Sequence, residues 1–163
     1  MAAFADWLRI GAAVAGMLAL GIERRPTHMN THDKIKNCHA LISVFGCWPS
    51  FNDAEVVWLH LDRRATDLGD GPTIEALVRI ADEKLATGSV LVHLRFAKVV
   101  ELQLSGFDAP NDLYGLGIKE TADRQVEVRF YSTWGVGASF GCQNVEVVGV
   151  QPGDHGDTPL GER

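Results

Sequence analysis

The segment Phe45–Val56 reads FGCWPSFNDAEV and places two large aromatic residues, a proline and two carboxylates in a short turn before a strand. Apolar rings left in water cost roughly 25 cal/mol per Å² of exposed surface. We therefore expect Trp48 and Phe51 to fill a core or to form a recognition surface. Gly46 is suited to end a preceding helix with a positive φ. Pro49 prevents the helix from continuing and favours an extended conformation at the residue before it.

The two carboxylates of this segment allow two interpretations. Asp53 and Glu55 lie two residues apart and would serve as general acid and base if they converged in a cleft. The favoured interpretation is structural: Asp53 caps the turn through backbone N–H groups, and Glu55 pairs with a nearby arginine. His60 and His93 lie within predicted strands, and we expect both to be satisfied core residues because no second ligand is suitably spaced.

Length indicates a single domain, and net charge argues against a nucleic-acid-binding protein. A chain of 163 residues is long enough for one domain with a sizeable core. Its net charge of −6 argues against nonspecific binding of nucleic acid, which requires a surplus of Lys and Arg. An acidic surface is suited to meeting basic partners, because it speeds the encounter with them.

The three cysteines show no metal-binding pattern. Cys38, Cys47 and Cys142 contain no C-x-x-C pair and do not lie beside paired histidines. An odd number without a framework indicates reduced, mostly buried thiols in a cytoplasmic protein. We expect no metal and no cofactor.

The first 28 residues differ from the rest of the chain. Ile10–Ile22 is an apolar run of 13 residues, shorter than the roughly 17–25 residues that span a bilayer. It could be an interfacial or signal-like segment, a helix docked on the domain, or upstream sequence included by the choice of start codon, and we favour the last. Residues 29–163, which begin at Met29, carry 12 basic and 19 acidic residues and a net charge of −7. We expect no membrane association for them and a disordered tail over residues 152–163.

The remaining sequence predicts an α+β, β-rich domain with one N-terminal helix and a mostly antiparallel, sandwich- or barrel-like sheet. The helix is expected from Thr31 or Asp33 through Val44, by its apolar spacing of three and four. Thr73–Leu85 is ambiguous, because its composition favours a helix and its alternation fits a strand. A central strand covered on both faces is expected at Val56–Leu61, and a bulge or tight turn near Ala97–Lys98. Further strands are expected at Val90–Ser105, Leu113–Lys119, Val126–Ser132, Val136–Cys142 and Val145–Val150.

The opening segment resembles the signature of the immunity protein 50 family of bacterial polymorphic toxin systems, which reads approximately FGxWPSFHDAEV. Asn52 replaces the histidine, which removes a titratable imidazole but keeps a hydrogen-bonding group. A middle block, Leu94–Asn111, and a closing block, Phe140–Val147, are also similar to the family, so the resemblance covers about residues 42–150. It implies an immunity-type domain over residues 29–151 and a strand at Thr73–Ile80. The motif positions, whether structural or toxin-binding, are Trp48, Pro49, Ser50, Phe51, Asp53, Glu55, Phe107, Asn111 and Phe140.

The resemblance implies a protein that binds and neutralises a cognate toxin in the cytoplasm of the producing cell. No nucleophile or catalytic motif supports enzyme activity. The alternative is a small-ligand-binding or enzymatic domain that uses the Trp48–Glu55 turn as a pocket, with Asp53, Glu55 and a histidine converging in it. If the loop Arg63–Pro72 faces the partner, reversing the charges of its acidic residues should slow association; these residues are Asp67 and Asp70.

Overall fold

The structure, a computed structural model, describes residues 31–64, 71–106, 111–123 and 125–153. The predictions made for Asp67, Asp70 and Phe107 therefore lie outside the described residues. The same holds for the N-terminal extension 1–28 and for residues 154–163 of the tail.

A short helical segment precedes eight strands. A 3-10 turn covers Thr31–Lys34, and α1 covers His39–Phe45. The strands are β1 Ala54–Asp62, β2 Thr73–Ala81, β3 Ser89–Ala97, β4 Val100–Ser105, β5 Asp112–Glu120, β6 Val126–Ser132, β7 Gly137–Cys142 and β8 Asn144–Pro152. They form one antiparallel sheet in the order β4-β7-β6-β5-β1-β2-β3-β8. The predicted β-rich α+β class is confirmed, and the sheet is not closed, since β4 and β8 are its edges.

The predicted helix is interrupted, so its extent was wrong. Asn37 adopts a positive φ of 60°, and α1 begins only at His39. The residues before it bind the sheet: the Lys36 N–H donates to the Val145 carbonyl at 2.9 Å, and the Lys36 carbonyl accepts from the Val147 N–H at 2.9 Å. These bonds to β8 satisfy main-chain groups that a continuous helix would have used. The end of the helix is confirmed, because Gly46 has a φ of 76° and donates to the Ile42 carbonyl.

The ambiguous segment is a strand, as the resemblance implies. β2 pairs along its length with β1 on one side and β3 on the other. Its alternate residues are buried, and these are Ile74, Ala76, Val78 and Ile80. Tertiary pairing therefore overrides the helical composition of the segment.

β1 is central but is not covered on both faces as predicted. Val57 and Trp58 are 37% and 38% exposed, and Leu61 is 42% exposed. A register shift between Val56 and Trp58 changes the face on which the later side chains lie. Central position in a sheet thus did not imply burial of both faces.

Two bends fold the sheet over its own core. β3 runs into β4 through Lys98, which has a φ of 57°, and this confirms the irregularity predicted there. At the matching position β7 runs into β8, and the Gln143 N–H donates to the Ala97 carbonyl at 3.0 Å. The bends separate a half made of β1, β2, β3 and β8 from a half made of β4, β5, β6 and β7. Aromatic contacts join the halves, with the Phe96 ring centroid 5.1 Å from that of Phe140.

Candidate functional site

The motif turn is built around one buried ring in a strained backbone. Phe51 is 1% exposed and has a φ of 58°, a left-handed conformation that costs an L-residue roughly 1–2 kcal/mol. The turn is closed locally, because the Asn52 N–H donates to Ser50 Oγ at 3.3 Å and the Ala54 N–H donates to the Phe51 carbonyl at 3.4 Å. Burial of the ring offsets the backbone cost, so Phe51 is a core residue.

The same turn joins the two halves of the sheet. β1 and β5 pair only through Ala54 with Leu113 and Glu55 with Asp112. Two flanking hydrogen bonds extend this short ladder: the Asp53 N–H donates to the Leu113 carbonyl and the Val56 N–H to the Asn111 carbonyl, each at 2.9 Å. The motif therefore holds together the β1–β5 junction, which we call the seam and which has the shortest ladder of paired residues in the sheet.

A flat aromatic stack packs against the buried ring of the motif turn. The Trp48 ring lies 4.9 Å from that of His32, with the two planes 10° apart, and 5.8 Å from that of Phe51. The 3-10 turn that carries His32 is also tied to β5, because Lys34 Nζ lies 2.5 Å from Glu120 Oε2. Sequence reasoning missed His32, because its turn has no apolar periodicity to signal packing.

The two motif carboxylates behave differently. Glu55 Oε2 lies 2.6 Å from Arg79 Nη1, so the predicted pairing with an arginine is confirmed. The predicted cap at Asp53 was wrong, because its side chain forms no hydrogen bond with any described residue. Asp53 instead contributes a positive φ of 56°, which short polar residues adopt more readily than others.

The later motif residues are also built into the fold. Asn111 Oδ1 accepts from the buried Val136 N–H at 3.3 Å, while its main-chain carbonyl accepts from Val56. Phe140 is 3% exposed and packs in the aromatic core. Pro49 is half-buried, and Ser50 is exposed apart from the hydrogen bond that its hydroxyl accepts. The motif positions that the structure describes therefore serve mainly to shape the scaffold.

The strand histidines lie on the outward face of the sheet, which corrects the prediction of core positions. His93 Nε2 lies 2.9 Å from Glu75 Oε2, and its ring meets Trp58 edge to face at 5.2 Å. His60 is exposed. Glu55 and His93 are each engaged in a pair of their own, and Asp53 joins neither pair. Within the described ranges, no group of three or more His, Cys, Asp or Glu residues is arranged to hold a metal ion.

The three cysteines are free thiols in different environments. Cys47 is exposed, Cys38 is half-buried and Cys142 is buried. Burial raises the pKa of the Cys142 thiol to about 12, because the thiolate would lose its solvation. This thiol stays protonated at neutral pH and is a packing group.

A group of exposed aromatic side chains in and beside β5 and β6 was not anticipated from the sequence. Tyr114, Tyr131 and Trp134, in and beside β5 and β6, are 71%, 48% and 66% exposed. Large aromatic residues usually pack in cores, so composition alone gave no reason to place them in solvent. The sequence did signal that this half has an outward face, because apolar residues alternate in β7 with the small residues Gly137, Ser139 and Gly141.

Together these features define a β-rich scaffold in which the motif closes a structural seam and aromatic side chains are presented to solvent. Residues 37–153 match the sequence model of the family described as immunity protein 50, and the chain belongs to that family. No curated protein and no solved structure matches it significantly. Of the helices that the structure describes, none has the length and apolar character needed to cross a bilayer.

Proposed function

We propose that this chain is an immunity protein that binds a cognate bacterial toxin and neutralises it as a one-to-one complex. The observation that carries the proposal is the family match, which extends over residues 37–153 and so includes α1 and all eight strands. Immunity by binding requires a stable surface and no reacting group. A scaffold whose motif residues are engaged in packing and main-chain contacts is compatible with that mode of action.

The charge of the chain supports a protein partner that is basic. Residues 29–163 carry a net charge of −7, so a cationic toxin domain would be attracted over the range of the Debye length, about 8 Å at physiological ionic strength. We propose that the complex forms in the cytoplasm of the producing cell, where an incoming or newly made toxin would act.

Co-expression tests the proposal directly. The toxin domain encoded beside the gene for this chain would be induced in a sensitive host, with the chain or with an empty vector. We expect growth only when the chain is present, and a one-to-one complex when the two purified proteins are mixed and measured by light scattering. Failure to restore growth, together with no detectable complex, would refute the proposed function.

A pair of variants tests whether protection requires the folded chain. Phe51→Ala should weaken protection because it destabilises the fold, whereas Val57→Ala, a substitution at an exposed position of β1, should leave protection intact. Protection that is unaffected by unfolding the chain would point to an effect other than complex formation.

A further inference from the structure

The outward surface of the half made of β4, β5, β6 and β7 carries a group of exposed aromatic side chains. We call Tyr114, Tyr131 and Trp134 the aromatic group. Tyr131 pairs across the ladder with Gly115, the residue after Tyr114, and the Trp134 N–H donates to the carbonyl of Asp112 at 3.4 Å. All three therefore lie at the same end of β5 and β6. Tyr and Trp exposed together are the residues that most often dominate the energy of a protein interface.

The backbone that carries the aromatic group is firmly held. The Thr133 N–H donates to the Asp112 carbonyl at 2.9 Å, and the Val136 N–H donates to Asn111 Oδ1 at 3.3 Å. Gly106 packs directly against the carbonyl of Gly135, at a distance that leaves no room for a Cβ. A segment held in this way loses little conformational freedom when a partner binds, which favours affinity.

Grooves continue from Tyr131, a member of the aromatic group, along β7. One of about 530 Å³ is lined by Tyr131, Ser105 and Gly137 among others, and one of about 630 Å³ is lined by Val100, Glu101 and Gly141 among others. Both reach Arg129, whose guanidinium is fixed by Glu127. The small outward residues of β7 thus leave space for side chains of a partner, with an arginine, another common interface residue, between the two grooves.

The outward surface of the other half also exposes large apolar side chains, among them Val57, Trp58 and Leu61, and differs instead in its charges. Charged side chains on this half form ion pairs: Glu55 with Arg79, and Glu75 with His93 and Arg95. The two edges differ as well. The main chain of Lys36 covers the β8 edge between Val145 and Val147, whereas all six residues of β4 are exposed and no described strand pairs with its outer side.

Charge favours a basic partner over a second copy of the chain as the occupant of this surface. The exposed carboxylates of Asp53, which follows the motif turn beside Leu113, and of Glu101, which lines the larger groove, form no hydrogen bond or ion pair with described residues. Two copies of a chain with net charge −6 repel each other, whereas a basic partner would place cations against these carboxylates.

We infer that the aromatic group and the grooves along β7 form the toxin-binding surface, an assignment that rests on the proposed function. The occupant is a basic segment of the toxin domain. Its apolar side chains pack on Tyr114, Tyr131 and Trp134, and its cationic side chains meet Glu101 and Asp53. Arg129 lines both grooves, one with Tyr131 and the other with Glu101, and stays paired with Glu127.

Calorimetry with the purified toxin domain encoded beside this gene tests the assignment. Trp134→Ala and Tyr114→Ala should each weaken binding at least tenfold, because large aromatic side chains often carry much of the binding energy of an interface. Both rings are exposed, so their removal should affect the fold little. Trp58→Ala, an exposed tryptophan on the other half, is the matched control and should change the dissociation constant less than threefold. Thermal melts of each variant should stay close to that of the wild type.

A charge pair tests the electrostatic part of the assignment. Glu101→Lys should lower the association rate several-fold at low salt, whereas Glu83→Lys, at an exposed position between β2 and β3, should lower it less. Equal effects of the two reversals would mean that only total charge matters and would contradict the assignment of cation contacts to Glu101.

The outcomes separate this assignment from the proposed function. If the wild type binds the toxin domain and Trp58→Ala weakens binding while Trp134→Ala does not, the surface is wrongly assigned and the function stands. If the wild type does not bind, the function and the surface both fail. If light scattering shows a dimer of the wild type that Trp134→Ala dissociates, the occupant is a second copy and the assignment is overturned.

Discussion

His32 stacks on Trp48 with the ring planes 10° apart, and this contact attaches the first described turn of the chain to the family motif. The stack lies over Phe51, the buried ring at the centre of the motif turn. The N-terminal segment and the seam between β1 and β5 are therefore parts of one packing unit. Substitutions on either side of the stack should have related effects on the free energy of unfolding.

The central ring of the turn should matter most for stability. Phe51→Ala removes a fully buried side chain and is expected to lower the free energy of unfolding by about 3–5 kcal/mol. Trp48→Ala should cost less, because that ring is only half-buried. Urea unfolding measures both. Unchanged stability with loss of toxin binding would show instead that the rings are interface anchors.

Asp53 tests whether the backbone or the side chain is what the turn requires. Asp53→Asn should change stability by less than about 0.5 kcal/mol, because the carboxylate makes no hydrogen bond with a described residue. Asp53→Gly should be neutral or stabilising at a φ of 56°, and Asp53→Val should destabilise by more than about 1 kcal/mol. A loss of about 1 kcal/mol or more in the asparagine variant would show that the Asp53 carboxylate does cap the turn.

Asn111 connects the motif seam to the loop that carries Trp134. Asn111→Ala leaves the buried Val136 N–H without its acceptor and should cost about 1–3 kcal/mol. Asn111→Asp keeps an acceptor oxygen at the same position and is the matched control. Hydrogen exchange should show faster exchange at Val136 in the alanine variant alone. Equal protection in the two variants would mean that the side-chain hydrogen bond contributes little.

The buried thiol predicts a dependence of stability on alkaline pH. Cys142 has a pKa of about 12 in the native protein, against an ordinary value of 9.0. Above pH 9 the unfolded chain releases a proton that the native chain keeps, so the free energy of unfolding should fall as pH rises, by at most about 1.4 kcal/mol per pH unit. Near neutral pH this thiol is protonated in both states and adds almost no slope.

Urea unfolding at several pH values between 8 and 11 would measure this effect, with Cys142→Ala as the reference. The wild type should lose stability more steeply than the variant over that range. In the native state a thiol reagent should modify the exposed Cys47 and leave Cys142 unmodified. Parallel pH profiles for the two proteins would contradict the prediction.

Truncation tests the expectation that Met29 begins the functional domain. A chain of residues 29–163 keeps the stack of His32 on Trp48, the pair of Lys34 with Glu120 and the family-matched region 37–153. It should melt within a few degrees of the full chain in a scan followed by circular dichroism. A large drop in melting temperature, or aggregation of the short form alone, would show that residues 1–28 stabilise the core.

Alternation along the strands was sufficient to predict most of the sheet. β3 buries Val90, Val92, Leu94 and Phe96 on one face, a period of two that only a strand produces. The bend at Lys98 could be predicted from the interruption of that pattern. For β2 the resemblance decided between helix and strand, since its intrinsic propensity favours the wrong one.

Other features depend on contacts between residues distant in sequence, which local patterns do not carry. The helix break at Asn37 arises because Lys36 bonds to β8, and no local signal marks that pairing. The stack of His32 on Trp48 likewise joins residues from two separate segments of the chain. The core position of Phe51 could be predicted from its type, but the left-handed backbone that places it there could not.

The attachment of the N-terminal segment to β8 has a consequence for synthesis. Asn37 Nδ2 bonds to Glu146 Oε1 across 109 residues of chain, and β3 also finds its outer partner in β8. A nascent chain that lacks its last strand exposes the apolar edge of β3 and cannot close the core. Contacts this distant in sequence slow folding, so the native fold should form only after translation, delayed by the time needed to release and pair β8. If the chain neutralises a toxin as proposed, a cell that makes both proteins together would have to translate this chain first.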